Sequence, residues 1–427
     1  MNTQHTERAE DSAARTETGR QLWRTLLTSR NFLFLWAAML ISSTGTFFLV
    51  LTVSAKLLIE NDSGFSASAV FGFQWILPIL LMGVIRRACE GQRLRRTVVV
   101  SELGGGLISL AIGVLSDHSF LTPLLACFLV RGLLEGITKT ARVVYTRQLF
   151  NGPLLKPASY VFNTSMLLGG GAGGVLGSVL GEHVSVLAVG ALSAAAFTVS
   201  ACCYAWLPQV SAGASEAERR PGTWAQVRGA LRGQQRLALS VVYFVIAVGV
   251  LQGFHNVART VIPVRVLDLG SPGVMNVQVI GGTALLLGAV AVPALLPWLG
   301  TVRRLSLWIL VAAAVAMGLA PHAVGASSLY VSYFAYLFLF EFLFITSQAQ
   351  MIQDTAPDKL VALTTFTNAV GTTMMIAITL LAGALSDIMD FGTVGVALAG
   401  LVSVTGCATE LIIGRAIRKE GPVVAVR

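Results

Sequence analysis

Charged residues are scarce in this sequence of 427 residues: they make up 12% of it, whereas hydrophobic residues make up 55%. Soluble domains carry about a quarter charged residues, so this composition excludes an ordinary water-soluble protein. The five cysteines show no metal-ligand spacing, and we predict no disulfide framework, metal site or cofactor. The first 30 residues lack the apolar core and cleavage site of a signal peptide, and we interpret them as a retained polar tail.

Long apolar runs recur along the chain. A membrane-spanning helix needs about 20 mostly apolar residues. The runs therefore predict an all-α integral membrane protein with twelve transmembrane helices. The predicted spans are 31–54, 67–86, 97–116, 119–138, 160–181, 184–207, 238–257, 274–298, 305–321, 327–348, 361–385 and 392–414.

The distribution of basic residues predicts how the chain is oriented. Nearly all of the 30 lysines and arginines fall in connections on one side, and the other side has only Lys56, Arg259 and Arg265. Because cytoplasmic loops carry the excess of Lys and Arg, both termini are predicted to be cytoplasmic. The net charge of +9 then reflects this topology and anionic lipid headgroups, with no nucleic-acid partner. We expect a multi-pass protein of a cell membrane, bacterial inner or plasma membrane.

The longest polar connection divides the chain into two halves of six helices, an architecture typical of secondary transporters. We also expect this connection to include a short amphipathic helix around residues 224–231. The predicted regions are an N-terminal tail (1–30), a first half (31–207), a central loop (208–237), a second half (238–414) and a C-terminal tail (415–427).

Three stretches resemble motifs of a known family. "LVRGLLEG" (129–136) is similar to an arginine motif of helix four, and "LGGGAGGVLGSVLG" (168–181) to a glycine-rich antiporter motif of helix five. "QMIQDTAPDKLVALTTFTNAVG" (350–371) resembles the loop and helix eleven of one branch. With the twelve spans, these stretches resemble the major facilitator superfamily, and within it the macrolide-efflux and enterobactin-exporter branch. The resemblance implies the major facilitator fold and alternating access, and we expect a monomer.

The chain departs from that family at two positions. The loop after helix two has Arg87 where the family carries an aspartate that latches the cytoplasmic side, and Glu90 is the candidate substitute. In helix five, Gly170 stands where the antiporter motif has proline, so any kink there depends on glycine flexibility.

Arg131 and Glu135 are charged residues within predicted helix four. Their spacing of four places them on one helical face, where they can neutralise each other. Charged residues at membrane depth usually face the bundle interior or a water-filled cavity. One interpretation is a pair that locks helix four to its neighbours; the other is that Arg131 tunes the proton affinity of a nearby acid or binds an anionic substrate group. Lys139 and Arg142 we interpret as orientation signals near the helix end.

Glu341 lies in the apolar run "LFLFEFLF" of predicted helix ten. A desolvated carboxylate without a partner favours its neutral form, which is the property of a proton carrier. Alternatively, Glu341 makes a structural hydrogen bond or pairs with Arg131 or Arg259. The residues on its helical face include no base; they are Phe334, Leu337, Phe344, Ile345 and Gln348.

A polar stripe ends predicted helix seven. Gln252, His255, Asn256 and Arg259 follow at three- and four-residue spacing and share one face. Facing a cavity, they would offer hydrogen bonds and one positive charge to a polar or anionic substrate. The alternative is a helix end that meets water.

Predicted helix five is rich in glycine. The resemblance implies that these glycines pack closely against helix eight and take part in gating; the alternative is close packing without a gating role. They are Gly169, Gly170, Gly171, Gly173, Gly174, Gly177 and Gly181.

The intramembrane charges are scattered, and they do not form the convergent acid, base and nucleophile set of an enzyme. We therefore predict a transporter and not an enzyme. The resemblance favours proton-coupled export of a small amphipathic molecule such as a siderophore or antibiotic, with substrate, protons and membrane lipids as partners. The alternatives are uptake of a nutrient or metal chelate by the same fold and, more remotely, a polytopic membrane enzyme. If protons drive transport, the candidate carriers are Glu341, Glu135, Glu102 and Asp387, of which Asp387 is expected to be solvated.

Overall fold

The computed structural model describes residues 24–90, 93–116, 121–150, 154–181, 183–210, 223–299 and 305–419. Within these ranges the regular elements are helical. They are α1 (Arg30–Asn61), α2 (Gly64–Leu80), α3 (Met82–Glu90), α4 (Leu94–Leu115), α5 (Leu121–Leu149), α6 (Leu155–Leu180), α7 (Val186–Ala205), α8 (Thr223–Leu231), α9 (Gln235–Ile246), a π-helical segment (Ala247–Leu251), α10 (Gln252–Val261), a second π-helical segment (Ile262–Val266), α11 (Gly270–Leu299), α12 (Leu305–Leu319), a 3₁₀ turn (Ala320–His322), α13 (Ala326–Asp354), α14 (Pro357–Leu385) and α15 (Phe391–Lys419).

The helices confirm a multi-pass membrane architecture. Ten helical stretches in the described ranges are long and apolar enough to cross a membrane, α2 and α3 together form an eleventh candidate, and the apolar part of α6 (Thr164–Leu180) is shorter. The exact number of twelve spans therefore stays a prediction. The short helix predicted in the central loop is present as α8. Most of the predicted N-terminal tail and part of the central loop lie outside the described residues.

A bend of 68° separates α2 from α3. Pro78 lies inside α2, three residues before the break at Leu81. Proline lacks the N–H for the helical hydrogen bond, and its ring clashes with the carbonyl of the preceding turn. In α3, Ile85 and Cys89 are buried while the two arginines between them are exposed. The side chain of Glu90 lies outside the described residues.

The helices pack into two groups that follow the order of the chain. In the first group, α1 packs on α6 and α7, and α4 packs along α7. In the second group, α13 packs on α11 and α12, and α12 packs on α15. The largest buried apolar cluster draws almost all its residues from the second group. The groups meet mainly where α6 contacts α11 and where α2 contacts α14. Division into halves at residues 208–237 agrees with this packing but stays a prediction.

The chain between residues 235 and 266 is helical throughout but contains two wider turns. The Gln252 N–H bonds to the Ala247 carbonyl, and the Leu267 N–H bonds to the Ile262 carbonyl, each five residues back. Such π turns are rare and occur frequently at functional sites. They flank α10, the segment that carries the predicted polar stripe.

Candidate functional site

One end of the helix bundle is closed by contacts between the two groups. Asp387 follows α14 and accepts hydrogen bonds from the Gly64 N–H (2.6 Å), the Phe65 N–H (3.1 Å) and the Ser63 hydroxyl (3.0 Å) at the start of α2. The first N–H groups of a helix have no partner inside the helix and favour an anion. Although partial burial opposes it, these donors and Arg265 hold the pKa of Asp387 below its usual range.

Arg265 joins the loop after α1 to the end of α14. Its guanidinium lies 3.0 Å from Asp62 Oδ1 and 3.2 Å from Asp387 Oδ1, and it donates to the Ser386 carbonyl at 2.5 Å. The expectation that Asp387 is merely solvated is therefore wrong, since its side chain is 25% exposed and contacts the other helix group. We name this set the outer latch; it consists of Asp62, Ser63, Gly64, Phe65, Arg265 and Asp387.

Small residues let α2 and α14 approach closely beneath the outer latch. A Cβ atom added to Gly383 would lie 2.6 Å from Ser68 Oγ, and one added to Gly72 would lie 3.1 Å from Leu380 Cδ2. Side chains at either position would push the helices apart. The close approach therefore belongs to a state that is closed at this end of the bundle, which we call the Asp387 end.

The predicted glycine stripe of α6 packs on two helices. On the α1 side, Cβ atoms added to Gly169 and Gly173 would lie 2.6 Å from Ser43 Cβ and 2.8 Å from the Thr44 carbonyl oxygen. Within the first group, glycine at these positions is thus required by contact with backbone or with short side chains.

The other side of the stripe faces α11, in the second group. A Cβ added to Gly170 would lie 3.3 Å from Gln278 Nε2, and one added to Gly174 would lie 3.0 Å from the Met275 carbonyl oxygen. At Gly177 it would overlap the Met275 side chain. The helix-eight partner implied by the resemblance is thus in place as α11, while the gating role of the stripe stays a prediction.

Three of the four residues of the polar stripe of α10 are buried. His255, Asn256 and Arg259 are 3%, 5% and 4% exposed. His255 Nδ1 lies 2.6 Å from the Tyr333 hydroxyl, and the Asn256 amide donates to Thr379 Oγ1 at 3.3 Å. Helices α13 and α14 cover this face of α10.

Arg259 has amide and aromatic neighbours. It donates to Gln278 Oε1 at 3.3 Å and to Asn256 Oδ1 at 3.1 Å, and its guanidinium carbon lies 3.7 Å from the centre of the Phe71 ring. Among the described residues, no carboxylate lies within 4.0 Å of it. Gln252, the first residue of the predicted stripe, is half-buried.

Glu341 lies near the middle of α13 and is 9% exposed. Within the described ranges no basic side chain lies within 4.0 Å of its carboxylate, so the expected alternatives of pairing with Arg131 or Arg259 are wrong for this state. A Cβ added to Gly288 of α11 would lie 2.9 Å from Glu341 Cβ. Glycine at this position thus gives the glutamate room beside α11.

Of the predicted neighbours of Glu341 along α13, Phe334, Phe344 and Ile345 are half-buried, whereas Leu337 is buried. Phe344 packs against Phe244 of α9 with ring centres 5.3 Å apart, and Phe334 stacks on Phe338 at 6.1 Å. Gln348 is also half-buried. Their role as a substrate wall beside the carboxylate stays a prediction.

Arg131 and Glu135 lie together in a small polar pocket of the first group but do not pair. Arg131, 1% exposed, donates to Thr46 Oγ1 at 2.7 Å, while its Nε and Nη1 have no described partner. Glu135 instead pairs with Lys139 at 2.8 Å. Lys139 is therefore more than an orientation signal, and Glu135 acts on Arg131 only through its charge at a distance beyond 4.0 Å. The pocket has room for about one water molecule.

Sequence reasoning missed an ion pair that lines the same pocket. Arg142 lies 3.2 Å from Glu102 Oε1 and donates to the Tyr204 hydroxyl at 2.6 Å and to Ser42 Oγ at 2.7 Å. It thereby connects α5 to α4, α7 and α1. Our interpretation of Arg142 as an orientation signal was wrong, because its buried side chain faces the bundle. The available signal was Glu102, an acid within an apolar run that needs a buried cation.

Comparison with a family model shows to which superfamily the chain belongs. Residues 91–380 match the model described as Major Facilitator Superfamily. The chain belongs to the Major Facilitator Superfamily. No curated protein matches the sequence significantly.

Solved structures agree with the superfamily assignment at the level of the fold. The nucleoside transporter NupG is 14% identical with a TM-score of 0.71, and the similarity covers 90% of this chain and 99% of NupG. A bacterial homolog of the human lysosomal transporter Spinster, titled inward-facing and unoccupied, is 11% identical with a TM-score of 0.68 and coverage of 93% and 100%. A POT family transporter in complex with 5-aminolevulinic acid is 10% identical with a TM-score of 0.69 and coverage of 90% and 96%.

The superfamily membership confirms the broader resemblance seen in the sequence. Members of the superfamily and the similar structures are transporters, which supports the prediction that the chain transports a small molecule and is not an enzyme. The exporter branch, the substrate and the coupling ion stay predictions.

Proposed function

We propose that this superfamily member is a proton-coupled secondary transporter that exports a small amphipathic molecule by alternating access. The proposal rests on the environment of Glu341. It is a buried carboxylate without a basic partner among the described residues, and Gly288 gives it space. Buried charges are normally paired because desolvation of an ion is costly. An unpaired acid at membrane depth therefore fits a group that gains and loses a proton.

The closed Asp387 end supports the alternating-access part of the proposal. With twelve spans and both termini cytoplasmic, the Asp387 end is the non-cytoplasmic face. The described state is then closed to the outside. Export requires the outer latch to open after the substrate has entered from the cytoplasm.

The remaining site residues take supporting roles in this proposal. Arg131 and Glu135 modulate proton affinity in the first group. The half-buried faces of Phe334, Phe344 and Gln348 form an amphipathic wall for the substrate next to Glu341. On α10, Gln252, His255, Asn256 and Arg259 supply polar contacts in the state that is open at the Asp387 end. The α6 glycines Gly169, Gly170, Gly173, Gly174 and Gly177 allow α6 to slide against α1 and α11.

The substrate class follows from the resemblance to exporters, and siderophores and antibiotics are the first candidates. The similar structures add nucleosides, peptides and 5-aminolevulinic acid as compounds to test. We therefore choose a catecholate siderophore, a macrolide, a nucleoside, a dipeptide and 5-aminolevulinic acid as a panel. Uptake by the same fold is distinguished by the direction in which the imposed proton gradient moves the compound.

Transport in proteoliposomes tests the role of Glu341. With an imposed proton gradient, the wild-type protein should move at least one panel compound against that compound's own gradient. Glu341→Gln should abolish this accumulation, because the amide cannot bind the proton, while exchange of the compound without a gradient should persist. Exchange shows that the variant is inserted and binds substrate.

A matched control uses an acid exposed at the surface. Glu60 of α1 is half exposed and forms an i,i+4 pair with Lys56 at 3.7 Å. Glu60→Gln removes the same charge and should leave proton-driven accumulation unchanged. Proton-driven accumulation by Glu341→Gln at the wild-type rate would remove Glu341 from the mechanism.

A further inference from the structure

Arg259 is a buried cation without a counter-ion in the described part of the chain. Its side chain is 4% exposed, its Nη atoms donate to amide oxygens of Gln278 and Asn256, and its Nε has no described partner. Neutral amide oxygens satisfy hydrogen bonds but do not neutralise the charge. A buried guanidinium usually has a carboxylate or another anion beside it.

An aromatic ring from the other helix group occupies the place of an anion. Phe71 of α2 is 1% exposed, and its ring centre lies 3.7 Å from the Arg259 guanidinium carbon. Close by, Ser54 Oγ of α1 and Thr260 Oγ1 of α10 lie 3.1 Å apart, so a second polar contact crosses between the groups at this level. Both contacts lie in the closed part of the bundle beneath the outer latch.

We propose that Phe71 and an anionic group of the transported molecule compete for Arg259: the ring covers the guanidinium when the Asp387 end is closed, and the anion binds it when that end is open. The inference rests on the proposed alternating access. When the groups separate, Phe71 moves with α2 and Arg259 stays with α10. The guanidinium then faces the opened cavity with an unused Nε–H and a full positive charge.

The chemistry of Arg259 selects for an anion. A guanidinium binds carboxylate and phosphate oxygens through charge-assisted hydrogen bonds, which are about twice as strong as neutral ones. A neutral compound supplies hydrogen-bond acceptors but no charge. The anionic group therefore has to leave Arg259 before Phe71 returns and the Asp387 end closes, so each closing step releases the anion from this site.

Distance measurements on the full chain in lipid nanodiscs test the competition. Spin labels on Ile59→Cys and Val324→Cys report separation of the two groups at the Asp387 end; these side chains are 54% and 98% exposed. The five native cysteines are first replaced, and the labelled protein is checked for transport. The probes are sodium acetate and sodium phosphate at constant ionic strength, with acetamide as the uncharged control.

The expected result has three parts. Acetate, phosphate or both increase the long-distance population of the otherwise wild-type protein, and acetamide does not; the more effective anion distinguishes a carboxylate from a phosphate site. Arg259→Gln removes the response. Phe71→Leu increases both the open population and the apparent affinity for the anion by about ten- to thirtyfold, the range of a desolvated cation–π contact. Phe71→Tyr keeps the ring and should stay near wild type.

Two kinds of negative result distinguish failure of the competition at Arg259 from failure of the proposed transport mechanism. An unchanged anion affinity in Phe71→Leu, or an equal anion response in Arg259→Gln, overturns the competition while leaving proton-driven transport intact. A single short distance in every variant, with every anion and with every transported panel compound, contradicts alternating access itself and therefore both proposals.

Discussion

Substitution of Asp387 by asparagine should open the Asp387 end. Asp387→Asn removes the charge but keeps the size of the side chain. The anion at the start of α2 contributes about 0.3–1 kcal/mol, and the partly exposed ion pair with Arg265 contributes about 0.2–1 kcal/mol. Asparagine still accepts one or two of the hydrogen bonds. We therefore expect a loss of about 0.5–2 kcal/mol, which corresponds to about a two- to thirtyfold larger ratio of open to closed molecules.

The label pair on residues 59 and 324 measures this ratio. Asp390→Asn is the matched control, because Asp390 lies in the same connection and its described hydrogen bond, to the Thr393 N–H at 3.0 Å, stays within the second group. The control should leave the distance distribution unchanged. An open population in Asp387→Asn within twofold of the wild-type value would refute our assignment of the outer latch to closure.

The lowered pKa of Asp387 also leads to a prediction about the pH dependence of closure. The pKa of Asp387 is held below its usual range. At any pH above that range the ionised carboxylate contributes fully to closure, and the contribution is lost only as the pH falls through the lowered pKa. Between about pH 5 and pH 8 the carboxylate stays ionised. The effect of Asp387→Asn on the open population should therefore be constant in this interval. A substantial decrease of that effect between pH 8 and pH 5 would contradict the sign of the shift.

Two further predictions concern stability, each measured as the thermal unfolding midpoint in detergent. Glu102→Gln should lower the free energy of unfolding by about 3–5 kcal/mol, because Arg142 stays buried without its counter-ion; an unchanged midpoint would show that the pair is dispensable. Gly132→Ala should destabilise strongly, because its new Cβ would overlap the Gln74 carbonyl, whereas Gly171→Ala, with no described atom within 4 Å of its Cβ, should not. Equal midpoints for the two glycine variants would contradict the packing of α5 on α2.

The membrane architecture was predictable because hydrophobicity along the chain is a local property. Each apolar run of sufficient length identifies a helix without knowledge of its neighbours, and the runs agree closely with α4, α7 and α12. The bend between α2 and α3 follows from Pro78, although its position three residues later depends on packing. The π turns next to α10 have no simple sequence signal, since their wider hydrogen bonds are selected by tertiary contacts.

Pairing of buried charges was harder to predict, because the partner lies on another helix. For Glu135 the sequence offered bases four residues away on either side, and the structure uses Lys139 and not Arg131. Arg142 looked like one more basic residue near a helix end, and only the packing of α5 against α4, with Tyr204 of α7 in reach of the guanidinium, shows that it is buried. For Glu341 the sequence showed no base on its own helical face and left a partner on another helix open; only the packing shows that no basic side chain among the described residues lies within 4.0 Å of it.

The two π turns beside α10 have a geometric consequence for Arg259. A π turn contains one residue more than an α turn, so conversion of one into α geometry rotates the helix beyond it by about 100°. A compensating change in the other π turn restores the original direction of the chain. The two π turns thus set the angle about its own axis at which α10 presents its polar side chains to the neighbouring helices. With α geometry at the first of these turns, the Arg259 guanidinium would point about 100° away from the Phe71 ring that it now faces.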